Sequence, residues 1–447
     1  MSLRSSDAAR GPEPSELISR AWRSLLRAAE ESLLRNGLYI MGTTAITSLL
    51  GFGFWVIAAR ALPAVYVGRA SALVSAMLFV AVITNLGLGQ VMISRLGSRR
   101  DGAEWSLTVT TGLLAAGIAS IVGGLVAALL IPALIPELRG NLDGWEFAIL
   151  PLGVASTACS LVIDFVCIAE RQARPSFLRN GAAALLRLAL VGLAAFGPLA
   201  DAVWLLAIWV GSFLVIDIHG ALVTLPRLGR GYRPTLHGWR RELTEIRRLI
   251  AGHQTINLGS QATAYLLPVI VSARLGATEN AYFYATFMLT NALSFIAPAI
   301  GNSLFAEGAR SPGRLRHDLT RAIRYTLILA APPALVLLVL GPTLLGIFGP
   351  DYASAGTGLL YVLVAAALFD AAYQLAIAVL RARHRLGAAA AATWALLIVG
   401  IASAWLLLPS LGLIGAGIGW GIGKACGLAV SLVLLARPPR RRSTAVK

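Results

Sequence analysis

Four polar side chains recur at every fourth position of HQTINLGSQATAYLLPV, residues 253–269. They are His253, Asn257, Gln261 and Tyr265, and on a helix that spacing draws one slowly turning polar seam. An imidazole, two amides and a phenol can donate and accept hydrogen bonds; they form no nucleophile–base pair. Thr290, Ser294, Pro298 and Asn302 follow the same step. Both segments are otherwise apolar. Two arrangements account for such seams: a water-filled cleft, or hydrogen bonds between packed helices. Four groups in register exceed what one helix contact needs, which favours the cleft. Pro268 and Pro298 remove backbone donors inside these segments and leave carbonyls free, which makes them either cleft-lining bends or simple kinks.

A second set of chemically able residues is ionic. Asp164, Arg187, Asp217, Asp370 and Lys424 all fall within apolar stretches. An ionised group at mid-membrane costs roughly 2.5–3.5 kcal/mol. These residues are therefore expected to face a cleft, to pair, or to lie near enough to a helix end to reach the interface. A protonatable group in a cleft offers coupling to an H+ or Na+ gradient. Asp217, Asp370, Asp164 and His219 are the candidates. Asp217 and His219 are two residues apart, so they lie on different faces of a helix and are no ready-made pair.

Catalytic motifs are missing from the sequence. It holds no nucleophile elbow and no HExxH. GLIGAGIGWGIGKACG resembles a phosphate loop but has Ile418 where the first Gly belongs and Ala425 where Ser or Thr is needed. Gly415, Gly419, Gly423 and Gly427 read instead as a ridge for close helix packing. Cys159, Cys167 and Cys426 read as small buried hydrophobes. The chain is expected to be no enzyme, with no cofactor and no metal.

The elements that position these residues follow from composition. Of 447 residues, 57% are hydrophobic and 13% charged, about half the charged share of a soluble domain. The chain reads as an all-α, multi-pass membrane protein with about twelve transmembrane helices. No cleavable leader is expected, because the first apolar run begins near Leu38 behind a polar, basic segment. If both termini are cytoplasmic, nearly all of the 38 Lys and Arg lie on that side. The opposite side holds Arg60, Arg69, Arg139 and Arg274. That bias predicts the orientation and assigns the net charge of +17 to a face meeting anionic lipid, not to nucleic acid. The expected organisation is a cytoplasmic arm with an interfacial amphipathic helix (1–37), an N-lobe of six spans (38–226), a basic amphipathic linker (227–250), a C-lobe of six spans (251–436) and a basic tail (437–447).

Two lobes are expected because the chain repeats itself. ARALPAVYVGRASALVSAML (59–78) parallels ARLGATENAYFYATFML (273–289), 214 residues on. AERQARPSFLRNGAAALLRLAL parallels LRARHRLGAAAAATWALLIV at an offset of 210, which sets Arg171 on Arg381 and Ser160 with Asp164 on Asp370 with Gln374. A six-span unit repeated in parallel is a transporter plan with its site between the lobes. The first offset places Tyr39, Thr43 and Thr47 opposite His253, Asn257 and Gln261, a weaker copy of the seam.

ARALPAVYVGRASALVSAMLFVAVITNLGLGQVMISRLG resembles the signature of the polysaccharide-biosynthesis flippases. These belong to the multidrug/oligosaccharidyl-lipid/polysaccharide exporter superfamily. Ala59, Arg60, Leu62, Gly68, Gly87, Leu88 and Arg95 fill the pattern, with Pro63 where Gly is usual and Asn85 where an acid is common; Ala273, Arg274, Leu275 and Gly276 repeat it. The resemblance implies a V-shaped, extruder-like pair of lobes that alternates between inward- and outward-open states. It implies a cargo of oligosaccharide on undecaprenyl diphosphate, carried across the bacterial inner membrane for O-antigen, capsule or exopolysaccharide synthesis. Polysaccharide polymerase and glycosyltransferases are the implied partners. For such a cargo His253, Asn257, Gln261, Tyr265, Thr43, Thr47 and Asn302 would meet the sugar headgroup. Arg60, Arg95, Arg187, Arg274, Arg310 and Lys424 would be the diphosphate contacts. The alternatives are a cation-coupled multidrug antiporter of the same superfamily and a membrane scaffold for glycan-synthesis enzymes.

Overall fold

The computed structural model describes residues 32–85, 87–96, 101–135, 145–195, 201–228, 231–310 and 312–437. The expected interfacial helix of the N-terminal arm, up to residue 31, and the basic tail beyond residue 437 lie outside the described residues; residues 32–37, expected in the arm, are instead helical and continuous with the first span. The side chains of His253, Asn257, Gln261 and Arg310 also lie outside them, although their backbones belong to described helices. The described residues hold helices and no strand. Eleven of the helices are long and apolar enough to cross a membrane. The expected seventh span lies within a longer helix that has its own apolar stretch, Ala262–Leu275.

The N-lobe comprises α1 (Ser32–Ala61), α2 (Ala64–Thr84), α3 (Leu88–Leu96), α4 (Gly102–Leu134), α5 (Trp145–Ala169), α6 (Ala173–Ala194) and α7 (Ala202–His219). A π-helical turn over Gly220–Thr224 and a last turn, Leu225–Arg227, continue α7. The C-lobe comprises the second half of α8 (Trp239–Leu275), then α9 (Ala277–Asn291), α10 (Ile296–Arg310), α11 (Leu315–Gly346), α12 (Pro350–Ala382), α13 (Leu386–Leu411) and α14 (Leu413–Ala436). The helix end nearest the basic loops is called the basic end below, and its opposite the far end.

The repeat is visible in the backbone. In the N-lobe, α2 breaks at Asn85 and Gly87, the latter at φ +72°, before α3. In the C-lobe, α9 breaks over a 3₁₀ turn, Ala292–Phe295, before α10. Pro298 lacks the N–H that would bond to the carbonyl of Ser294, which explains why regular helix fails there. The turn after α5 places Arg171 at φ +55°, and the turn after α12 places His384 at φ +56°. The same offset of 213 relates the first residues of α2 and α9. The structural partner of Arg171 is thus His384, not Arg381. The expected match of Ser160 and Asp164 to Asp370 and Gln374 slips by three residues with it. Runs of alanine and leucine on both sides leave the register of that second match undetermined by sequence alone.

Small residues set the tightest packing. A Cβ on Gly419 would lie 2.4 Å from the backbone nitrogen of Ala404, and one on Gly423 would lie 2.7 Å from the Cα of Gly400. The glycine ridge therefore brings α14 onto α13 at backbone contact. The outer faces of α4 and α11 carry exposed Ile118, Leu129, Leu130, Leu335 and Val339, as lipid-facing helices do.

The linker helix does not stop at the membrane. α8 runs unbroken from Trp239 into the seventh span. Its first part packs on the N-lobe, with Ile246 fully buried. Arg95 of α3 bonds to Glu242 at 3.1 Å and Glu245 at 2.6 Å, and Thr108 of α4 donates to Glu242.

Candidate functional site

The two lobes meet at the far end. There α2 crosses α9 so closely that a Cβ on Gly68 would lie 1.6 Å from the carbonyl oxygen of Ala277. Asn280, fully buried, donates to the Gly68 carbonyl at 2.8 Å and to the Ser71 hydroxyl at 3.1 Å. Phe52 of α1 meets Phe348 edge-on, with ring centroids 5.2 Å apart. Arg60 donates to the carbonyls of Gly346 and Ile347 at 2.8 and 2.6 Å, groups left without intrahelical partners at the end of α11. Arg274 stacks on Trp405, 4.4 Å from its ring, within the C-lobe.

Toward the basic end the C-lobe opens into a cavity of about 580 Å³. Tyr265, Ser294, Pro298 and Asn302 line it, as do Thr263, Asn291 and Gln374. Phe287, Phe295, Phe305 and Trp420 supply aromatic faces. Asp370, Lys424 and Arg381 supply charge. The Lys424 ammonium donates to Asp370 at 2.7 Å and lies 5.0 Å from the Trp420 ring and 5.6 Å from the Tyr373 ring. Gln374 donates to the same carboxylate oxygen of Asp370 at 3.3 Å. Arg381 lies over Phe305 at 5.4 Å and has no carboxylate partner among the described residues.

At the lobe boundary, α1 and α9 touch through Trp55 and Tyr284, with centroids 5.0 Å apart. Trp55 also packs on Trp209 of α7. Over Trp209 sits the guanidinium of Arg187, 3.6 Å from the ring centroid. Arg187 is buried; its Nε donates to the Ser212 hydroxyl at 3.2 Å. Among the described residues it has no carboxylate partner. An aromatic face stabilises such a cation without neutralising it.

The remaining deep acids are paired. Arg179 of α6, with a side chain 1% exposed, donates to Asp164 of α5 at 2.5 Å and to Asp217 of α7 at 3.1 Å. It also donates to the carbonyl of Ser160. Ser156 donates to Asp217, and Ser176 and Asn180 donate to Asp164. One guanidinium fork thus ties three helices of the N-lobe together.

The expected site residues therefore divide by place. Tyr265, Asn302, Asp370 and Lys424 come together in the cavity. Thr43 and Thr47 return hydrogen bonds to carbonyls of their own helix, Tyr39 and Thr43, and do not line it. Arg187 stands at the lobe boundary; Arg60 and Arg274 stand at the far end; Arg95 holds the linker. Asp164 and Asp217 lie inside the N-lobe, and His219 lines a groove on the outer side of α6 and α7. Thr263 and Asn291 of the cavity escaped the sequence reading, and so did two charged residues. Arg179 stands only six residues into α6 and reads as a loop charge, while Arg381 reads as part of a basic loop. The clue for Arg179 is one turn of α6 carrying Ser176, Arg179 and Asn180, polar in a span that is otherwise apolar.

Comparison with known proteins bears on all of this. No curated protein matches the chain. Solved structures do. One is an inward-facing multidrug resistance MATE family transporter of the MOP superfamily, with 17% identity, a TM-score of 0.68, and coverage of 87% of this chain and 93% of that one. Another is the lipid II flippase MurJ in an inward closed conformation, with 14% identity, a TM-score of 0.66, and coverage of 90% and 88%. A third is a MOP superfamily transporter from Pyrococcus furiosus, with 15% identity, a TM-score of 0.58, and coverage of 90% and 94%. At these identities the likeness establishes the fold: the two-lobed, V-shaped fold of that superfamily. The polysaccharide biosynthesis protein family matches residues 33–305. With more than half its length so matched, and with a signature whose Gly68 lies where α2 meets α9 across the lobes, the chain belongs to the polysaccharide biosynthesis protein family.

Proposed function

We propose that the protein is a flippase for a lipid-linked oligosaccharide, moving an undecaprenyl-diphosphate carrier across the bacterial inner membrane by alternating access, with both termini cytoplasmic. The observation that carries this reading is the C-lobe cavity. A sugar headgroup is recognised by amides, hydroxyls and aromatic faces together, and Asn291, Asn302, Gln374, Thr263 and Trp420 offer that set. The cavity lies on the basic side of the closed far end, where a cargo entering from the cytoplasm would be received. Arg187 supplies a cation beside the cavity-bearing lobe, suited to a diphosphate. Lys424 and Arg381 stand at the cavity wall. His253, Asn257 and Gln261 precede Tyr265 on the same helix at the four-residue step of the sequence.

The antiporter alternative requires a deep carboxylate free to take a proton or cation. Asp164 and Asp217 share Arg179, and Asp370 holds Lys424. Each acid is thus engaged in an ion pair, two of them with the same arginine, and none stands alone, which favours the flippase.

The test is flipping of an undecaprenyl-diphosphate oligosaccharide in reconstituted vesicles. Wild-type protein is expected to expose the carrier on the opposite leaflet; Arg187→Gln and Asn302→Leu are expected to fold and to lose most of that activity. Export of a cationic dye without carrier movement would overturn the proposal.

A further inference from the structure

A second cavity, of about 600 Å³, lies on the N-lobe away from the C-lobe site. It runs between the basic end of α6 and the π-helical turn that ends α7. Its walls are apolar: Leu178, Ala182, Val215 and Val223. Its rim is basic: Arg174, Arg227 and His219. Leu178 and Val215 are each 55% exposed, so the groove opens sideways, toward the lipid. Arg174 is the second residue of α6 and Arg227 the last of the final turn after α7; both stand at the basic end, at headgroup level.

Three features make this groove a site. Arg174 and Arg227 are exposed and have no ion-pair partner among the described residues, and no acid lines the rim. The cation on its floor, Arg179, is already held by two carboxylates, Asp164 and Asp217, so the cations free to meet a ligand are those of the rim. The gap is also particular to this lobe. The corresponding last two helices of the C-lobe, α13 and α14, close on each other through Gly400, Gly419 and Gly423, whereas α7 carries Trp204, Trp209 and Phe213 and only Gly211. The π turn over Gly220–Thr224 displaces the end of α7 further, a distortion often retained where a ligand binds.

An apolar cleft that opens to hydrocarbon is filled by a lipid chain, and a basic rim at headgroup depth selects its charge. We propose that this groove binds one anionic phospholipid of the leaflet at the basic end. Its phosphate sits among Arg174, Arg227 and His219, and an acyl chain lies along Leu178, Val215 and Val223. The inference needs only that the chain spans a membrane and is independent of the cargo proposed above.

Native mass spectrometry of the delipidated protein tests it, with phosphatidylglycerol and phosphatidylcholine as probes. One phosphatidylglycerol per chain is expected to remain bound where phosphatidylcholine does not. Arg174→Gln with Arg227→Gln is expected to weaken that retention about thirty-fold, from roughly fivefold per juxtamembrane basic residue. Ala182→Phe keeps the charges, fills the groove and is expected to abolish retention as well. Arg240→Gln with Arg241→Gln, an equal loss of charge on the exposed linker helix, is expected to change nothing. Equal binding of the two lipids, an equal effect of the linker variant, or retention by Ala182→Phe would each overturn the proposal. Displacement of phosphatidylglycerol by an equimolar polyprenyl phosphate would assign the groove to the carrier lipid and overturn it too.

Discussion

Lys424 and Asp370 form an ion pair with side chains only 9% and 3% exposed. Removing one partner of a buried pair strands the other, at a cost of about 3–5 kcal/mol, whereas replacing both by apolar groups is often neutral. Asp370→Leu and Lys424→Met singly are therefore expected to lower thermal stability sharply, and the double variant to recover most of it. Transport adds a separate readout. If the ammonium contacts cargo, the double variant folds but does not flip. A double variant with full transport would remove Lys424 from the site. Arg179 is held to a stricter geometry, because one planar fork serves Asp164, Asp217 and the Ser160 carbonyl. Lysine is a point charge without that fork. Arg179→Lys is expected to destabilise the N-lobe almost as much as Arg179→Met, as thermal unfolding would measure; wild-type stability in the lysine variant would mean that charge alone suffices. Such pairings explain what the sequence conceals. Tyr265, Ser294 and Asn302 could be set on polar helix faces from their spacing, and Lys424 stood out as a charge in an apolar span; the four line one cavity. Arg179 was not, because its partners sit on two other helices, fifteen and thirty-eight residues away, and no local pattern records that distance.

Among the elements, α2 and α9 make a backbone-close contact between the lobes. Backbone approach at Gly68 and Ala277 leaves no room for any Cβ, and Asn280 fastens the crossing with two hydrogen bonds. Gly68→Val is expected to prevent far-end closure and to favour the outward-open state. Spin labels on the far ends of the two lobes would report a longer separation, and flipping would fall with it. An unchanged distance in that variant would show that the crossing relaxes without opening. The linker is the complementary element. It was legible as basic and amphipathic, yet its burial against α3 and α4 was not, because Glu242 and Glu245 look like ordinary surface charges until Arg95 is placed beside them. The helix break between α9 and α10 was half legible: Pro298 announced a bend, and the structure puts the 3₁₀ turn just before it.

On the scale of the whole molecule, the lobes are alike in backbone and unlike in content. The C-lobe is hollowed by a polar cavity; the N-lobe is cross-tied by Arg179. In this conformation they are closed at the far end through Phe52 and Phe348, Arg60 and Gly346, and Gly68 and Ala277. Alternating access, as proposed, requires all three contacts to break, since each joins the two lobes at that end. A covalent link there should therefore arrest the cycle. In a background lacking Cys159, Cys167 and Cys426, Phe52→Cys with Phe348→Cys places two thiols across the lobes, at positions whose rings now sit 5.2 Å apart. Oxidation is expected to stop flipping, and a reductant to restore it. Tyr282→Cys with Tyr352→Cys, rings 4.9 Å apart within the C-lobe, receives the same treatment without joining the lobes and is expected to keep flipping when oxidised. Cargo movement through a quantitatively linked Phe52→Cys/Phe348→Cys protein would mean that the lobes do not separate at this end, and that the passage lies elsewhere than between them.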